Sequence, residues 1–143
     1  MEDFHALAWV TGTAVLCVSD FLWFRFFGDR IYHFSTLLNQ KPPLAAVSVF
    51  ACAVFASAVL TVFRGKSVED AAAAGALIGG LVFFVFNACA YYILNNLKEN
   101  VLLDKSNSKS TLWSAPTALS DTLYGTGLYS ATAVVIWEVA AAQ

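Results

Sequence analysis

Four predominantly apolar stretches, 6–27, 44–63, 71–94 and 117–142, take up most of this chain. At about 1.5 Å of rise per residue, about 20 residues of helix cross the roughly 30 Å hydrocarbon core of a bilayer. Barrel strands would be about half that length and would alternate apolar with polar residues. Lipid offers no water to backbone N–H and C=O groups, so stretches of this length are expected to be helical. The expected fold is therefore all-α: one transmembrane domain, an integral membrane four-helix bundle crossing the bilayer four times.

Composition agrees with that reading. Hydrophobic residues make up 59% of the chain and charged residues only 13%, about half the charged share of a soluble domain. The eight Lys and Arg are scattered and the net charge is -2, so the basic patch of a nucleic-acid binder is absent. Cys17, Cys52 and Cys89 fall in three different apolar stretches, without the close spacing of a metal or redox motif, and are expected to be packing residues. Met1-Glu2-Asp3-Phe4-His5 is acidic and no Ala-x-Ala site follows, so the first stretch is expected to remain as a span and not to be removed as a signal peptide.

The connections have their own chemistry. In 28–43, Phe27, Ile31, Phe34 and Leu38 recur at helical spacing with Arg30 and His33 on the other side. That pattern fits a short interfacial helix or a continuation of the first span, and both remain open. Lys41-Pro42-Pro43 is expected to start the second span, because proline is tolerated in a first helical turn. Arg64-Gly65-Lys66-Ser67 reads as a tight turn, with Ser67 capping the next helix and Asp70 complementing its positive end. Spans two and three are accordingly expected to form an antiparallel hairpin. The long polar stretch 95–114 ends at Ser114 and Pro116, which announce span four.

Four spans place the first and third loops on one side. Those loops and their flanks hold Arg25, Arg30, Lys41, Lys98, Lys105 and Lys109, against Arg64 and Lys66 on the other side. The positive-inside rule then predicts that loops 28–43 and 95–116 are cytoplasmic and that both termini lie opposite.

Ionisable groups inside a span are costly and are functional candidates. Asp20, Asn87 and Asp121 form the candidate intramembrane polar site. If spans one and four pack together, Asp20 and Asp121 approach, and two adjacent carboxylates can share a proton or hold a cation. The structural alternative has these carboxylates bonding backbone or hydroxyls such as Thr11, Ser19 or Thr126 and fixing helix register. Arg25 stands five residues from Asp20, about 140° around the helix, so it is expected to snorkel to the headgroups and not to pair with that carboxylate. Trp23, Arg25, Arg30 and Trp137 are expected interface anchors, with Glu138 beside Trp137. Asn87 is also readable as a hydrogen-bonding residue within the bundle. Gly75, Gly79 and Gly80, with Gly125 and Gly127 in span four, would let helices approach closely, leaving Phe50, Phe55, Phe83 and Phe84 toward lipid.

The order Asp20-x-x-Trp23, Tyr32, Gly75-Ala76-x-x-Gly79, an aromatic-polar pair in the third span and Asp121-x-x-aromatic-Gly125 resembles the family catalogued as domain of unknown function 2177, predicted four-span membrane proteins. The resemblance runs from about Leu7 to Val135. It implies the fold and brings no activity with it. Where that family shows Tyr-Asp and then Thr-Asn, this chain has Phe86-Asn87 and then Ala88-Cys89-Ala90, and Tyr124 stands in place of a Trp. The missing acid at Asn87 weakens the case for a family-wide proton or cation site.

No catalytic set can be assembled. His5 and His33 are far apart, and Gly79-Gly80 lies inside a span and not in a phosphate-binding loop. The reading that follows is a non-enzymatic structural or accessory subunit of a membrane complex or of a virion's internal membrane. It would have the lipid bilayer and other membrane subunits as partners and no cofactor. The alternative is a small proton- or cation-linked transporter or channel, possibly a homo-oligomer, using Asp20 and Asp121.

Overall fold

Each apolar stretch is helical. The computed structural model describes the backbone of residues 5–31, 42–100 and 114–143, and their side chains except at Phe24 and in 27–31, 42–46 and 93–100. Among the described residues there are four α-helices and no strand: α1 (Ala6–Ile31), α2 (Pro42–Val62), α3 (Val68–Asn100) and α4 (Ala115–Ala141).

Local chemistry explains where these helices begin. The first turn of α2 holds Pro42 and Pro43, where the missing N–H costs no intrahelical bond. Gly65 turns the chain between α2 and α3 with φ +67°, a conformation that disfavours any side chain. The Ser67 hydroxyl then accepts from the Asp70 N–H at 3.2 Å, and Glu69 and Asp70 sit in the first turn of α3 against the positive end of the dipole. Ser114 caps α4 by accepting from the Thr117 N–H at 3.2 Å. α1 runs on through Ile31, so residues 28–31 continue the first helix. The remainder of the suggested interfacial helix, residues 32–41 including His33, lies outside the described residues. Of the polar stretch 95–114 expected to connect spans three and four, 95–100 instead continue α3 as helix, and 101–113 lie outside the described residues.

The tight turn does not make α2 and α3 a packed hairpin. α3 packs mainly on α4, α2 packs mainly on α1, and α4 sits centrally with its largest interface to α3, its second to α1 and a narrow one to α2. The reason is the small-residue face of α3. Ala71, Gly75, Gly79, Phe83 and Asn87 follow one another four apart and meet a matching row on α4, Asp121, Gly125, Tyr129 and Ala133. Rows at this spacing form the ridges by which helices interlock.

The closeness of that seam is measurable. A Cβ added at Gly75 would stand 2.3 Å from the Tyr129 carbonyl oxygen, one at Gly79 would stand 2.4 Å from the Gly125 carbonyl oxygen, and one at Gly125 would stand 2.2 Å from the Phe83 ring. Gly80 is looser, with Thr126 Oγ1 at 3.2 Å. Gly127 meets nothing within 4 Å, so the expected notch on α4 consists of Gly125 alone. Two positions further on, a helix has turned by about 200°, which carries Gly127 off the seam. Phe83, expected on the outside with Phe50, Phe55 and Phe84, fills the space above Gly125 instead, while the other three are well exposed. Gly12 plays the same part between α1 and α4, where a Cβ would come 2.4 Å from Ile136 Cδ1.

His5 Nδ1 lies 3.3 Å from Gln143 Oε1, and an open recess there is lined by His5, Arg64, Gly65, Trp137, Ala140 and Ala141. The start of α1, the α2–α3 turn and the end of α4 therefore share one end of the bundle.

Gly79→Ala is expected to destabilise the fold by about 1–3 kcal/mol through overpacking. Gly127→Ala is expected to be neutral or to stabilise by up to about 1 kcal/mol through helix propensity. Denaturant titration of the two purified variants checks this contrast, and equal losses would contradict the seam.

Candidate functional site

Helical periodicity assembles the polar cluster. Spacings of three or four put Asp20 and Trp23 on one face of α1, Phe83 and Asn87 on one face of α3, and Asp121 and Tyr124 on one face of α4. The close approach of α3 and α4 then brings Asn87 against Asp121, and the packing of α1 on α4 brings Asp20 against Tyr124.

Asn87 and Asp121 are 2% and 3% exposed. Asn87 Nδ2 donates to Asp121 Oδ2 at 3.0 Å and to the Phe83 carbonyl at 2.7 Å, and lies 3.3 Å from Thr122 Oγ1. Thr122 turns its own proton to the Ala118 carbonyl at 2.8 Å. The other polar atom of the amide, Asn87 Oδ1, is buried without a hydrogen-bond partner. Across the cluster the Tyr124 hydroxyl donates to Asp20 Oδ1 at 3.2 Å. Asp20 and Asp121 are near enough for their charges to act on each other.

Aromatic rings join these polar contacts. Tyr124 stacks on Trp23 with centroids 4.0 Å apart and planes at 13°. The Phe83 ring meets Tyr124 edge-on at 6.2 Å and Tyr129 at 5.8 Å. Both are arrangements that ring quadrupoles favour.

The structure thus gathers Asp20, Asn87 and Asp121 into one neighbourhood. Among the hydrogen bonds of Asp20 and Asp121 described above, none goes to Thr11, Ser19 or Thr126, and Thr126 donates to the Thr122 carbonyl instead. Trp23 is half-buried in its stack on Tyr124. Arg25 and Glu138 are exposed and Trp137 is half-buried beside the terminal recess, whereas the Arg30 side chain lies outside the described residues.

Tyr124 and Phe83 are cluster members that sequence reasoning did not select. Their signal was their spacing, three from Asp121 and four from Asn87. A separate polar contact, Thr13 Oγ1 to Ser57 Oγ at 2.5 Å, ties α1 to α2. Among the described residues no three His, Cys, Asp or Glu side chains converge as a metal site would require. Chemically, the cluster offers a buried carboxyl beside an amide, and a second carboxyl held by a phenol. No family model, curated protein or solved structure matches this chain.

Tyr124→Phe removes one hydrogen bond and keeps the stack, so it is expected to cost about 1 kcal/mol. Tyr124→Ala also opens a cavity and is expected to cost about 3–5 kcal/mol. Comparison of the two unfolding free energies checks this, and equal costs would show that the ring packing is unimportant.

Proposed function

We propose that this chain is an integral membrane protein whose four helices all cross the bilayer, and that it is a non-enzymatic structural or accessory subunit of a larger membrane assembly. A membrane complex and the internal membrane of a virion are both settings of that kind. The observation that carries the membrane reading is the apolar exterior of the bundle, set against an interior that takes in polar side chains. Ser57, Thr61, Asn87, Asp121 and Thr132 are buried while Phe21, Phe26, Phe50, Phe55, Phe84 and Phe86 are each at least 59% exposed. Water would penalise such a surface over its whole extent, whereas hydrocarbon favours it.

Helix length supports the same reading. Ala6–Trp23 in α1 and Val68–Tyr92 in α3 are each long and apolar enough to cross a membrane, and only 17% of either window is buried within the protein. The core helix of a soluble domain would bury most of such a window. The apolar stretch Val47–Val62 of α2 is shorter, and α4 turns Asp121 and Thr132 inward. In this proposal both cross because each lies alongside a spanning neighbour. α3, with 33 residues, is roughly 50 Å long, so its C-terminal turns extend past the hydrocarbon toward the basic loop on the cytoplasmic side.

How the polar side chains are used supports a structural role. The contacts Asn87–Asp121, Tyr124–Asp20, Thr13–Ser57 and Ser130–Ala72 carbonyl all run between helices of this chain, fixing register and leaving an apolar exterior for lipid and neighbouring subunits. A second reading, a proton- or cation-linked transporter and possibly a homo-oligomer, is favoured by one observation: carboxyls from α1 and α4 face one cluster.

The chain is expected to stay in the membrane fraction through alkaline carbonate washing, and to co-purify in detergent with other proteins in a complex of fixed size. A monodisperse chain in plain buffer would overturn the membrane reading. A pure homo-oligomer whose vesicle ion flux is lost in Asp20→Asn would select the transporter. Tags at the N-terminus and in loop 101–113 are expected to be accessible from opposite sides, and access from the same side would overturn the four-span topology.

A further inference from the structure

We infer that Asn87 and Asp121 form a proton-binding pair, in which the Asp121 side chain takes up one proton from water and shares it with Asn87 Oδ1 as a hydrogen bond. The inference rests on the membrane-embedded reading above, since lipid around the bundle keeps the surroundings of this buried pair apolar.

The geometry supplies one half of a carboxylic acid–amide ring. Asn87 Nδ2 faces the Phe83 carbonyl and Asp121 Oδ2, both acceptors, so the nitrogen is the amide atom that belongs on that side. With its two hydrogens used there, Oδ1 is left as an acceptor with nothing to accept, in a side chain that is 2% exposed. A buried acceptor without a donor costs about 1–3 kcal/mol, and native proteins rarely leave one.

A group able to supply a donor is the carboxyl already bonded to the same amide. As a carboxylate it has only lone pairs to set against Oδ1. As a carboxylic acid it closes the ring with an O–H···O bond antiparallel to the N–H···O bond already present. One proton enters from the aqueous phase, the carboxyl goes from one negative charge to none, and no other bond changes.

The surroundings favour that state. From α1 the cluster faces Asp20, with Cys17 near it. From α4 it faces the Tyr124 hydroxyl, which is committed to Asp20. Along the α3 row the next ionisable group is Tyr91, which is exposed. The carboxyl of Asp20 is a like charge, and two ionised carboxyls in a poorly solvated site repel. A proton on either carboxyl removes that repulsion; the unpartnered Asn87 Oδ1 is what places it on Asp121.

The test is infrared spectroscopy of the full chain in phosphatidylcholine vesicles at neutral pH, in light and heavy water. The expected result is a deuterium-sensitive C=O band of one protonated carboxyl. The band disappears in Asp121→Asn, stays in Asp20→Asn, and moves to higher frequency in Asn87→Leu, where the amide donor is gone. Absence of the band from wild-type protein of native helicity overturns the inference, as does a band that survives in Asp121→Asn. Where Asp121→Asn fails to fold, aspartate labelled with carbon-13 in the wild type assigns the band, and the Asn87→Leu shift decides. If the chain proves soluble in buffer, the membrane reading fails by itself, and the same spectrum taken in buffer still reads the protonation of Asp121.

Discussion

Backbone-to-backbone approach of α3 and α4 is the constraint on which the rest of the molecule depends. It exists because Gly75, Gly79 and Gly125 present no side chain where a Cβ would fall within 2.4 Å of a carbonyl oxygen or a ring on the other helix. Where a bundle lies in lipid, hydrophobic burial gives helices little reason to associate, and van der Waals contact between smooth faces has to do more of the holding. A seam of small residues is the form that contact takes here. It also explains why α3 leaves its neighbour in sequence, α2, for α4.

The seam positions the polar side chains as a by-product of its period. The same four-residue step that aligns Gly75 and Gly79 carries on to Phe83 and Asn87, and the row on α4 begins at Asp121 before it reaches Gly125. Asn87 and Asp121 therefore meet at the same interface as the glycines. α1 completes the arrangement at the other side of α4, through Gly12 against Ile136 and through the stack of Trp23 on Tyr124. Two carboxyls, an amide and a phenol end up within one junction of three helices, each held by a contact to another helix. That economy lets the interior set helix register, which is the basis of the proposed structural role, and it is where the inferred proton on Asp121 would complete a half-made pair.

The chain by itself determined the all-α character, where the four helices start to within about three residues, and the residue types available to an interior site; the end of α3, which runs on to Asn100 through residues read as loop, was not legible. Length, apolar content and the capping signals at Pro42, Ser67 and Ser114 are local properties, and backbone hydrogen bonding converts them directly into helices. Asp20, Asn87 and Asp121 were also visible as polar residues in apolar stretches, because such residues are few. Only the tertiary structure decided which helices touch. That choice turned Phe83 and Trp23 inward, excluded Gly127 from the seam, and made Tyr124 the link between α1 and α4. The physical reason is that an exposed and a buried aromatic look alike in an apolar stretch. A helix that is apolar all round carries no moment to say which face meets a partner, so the answer comes from shape complementarity between helices that only the assembled bundle contains.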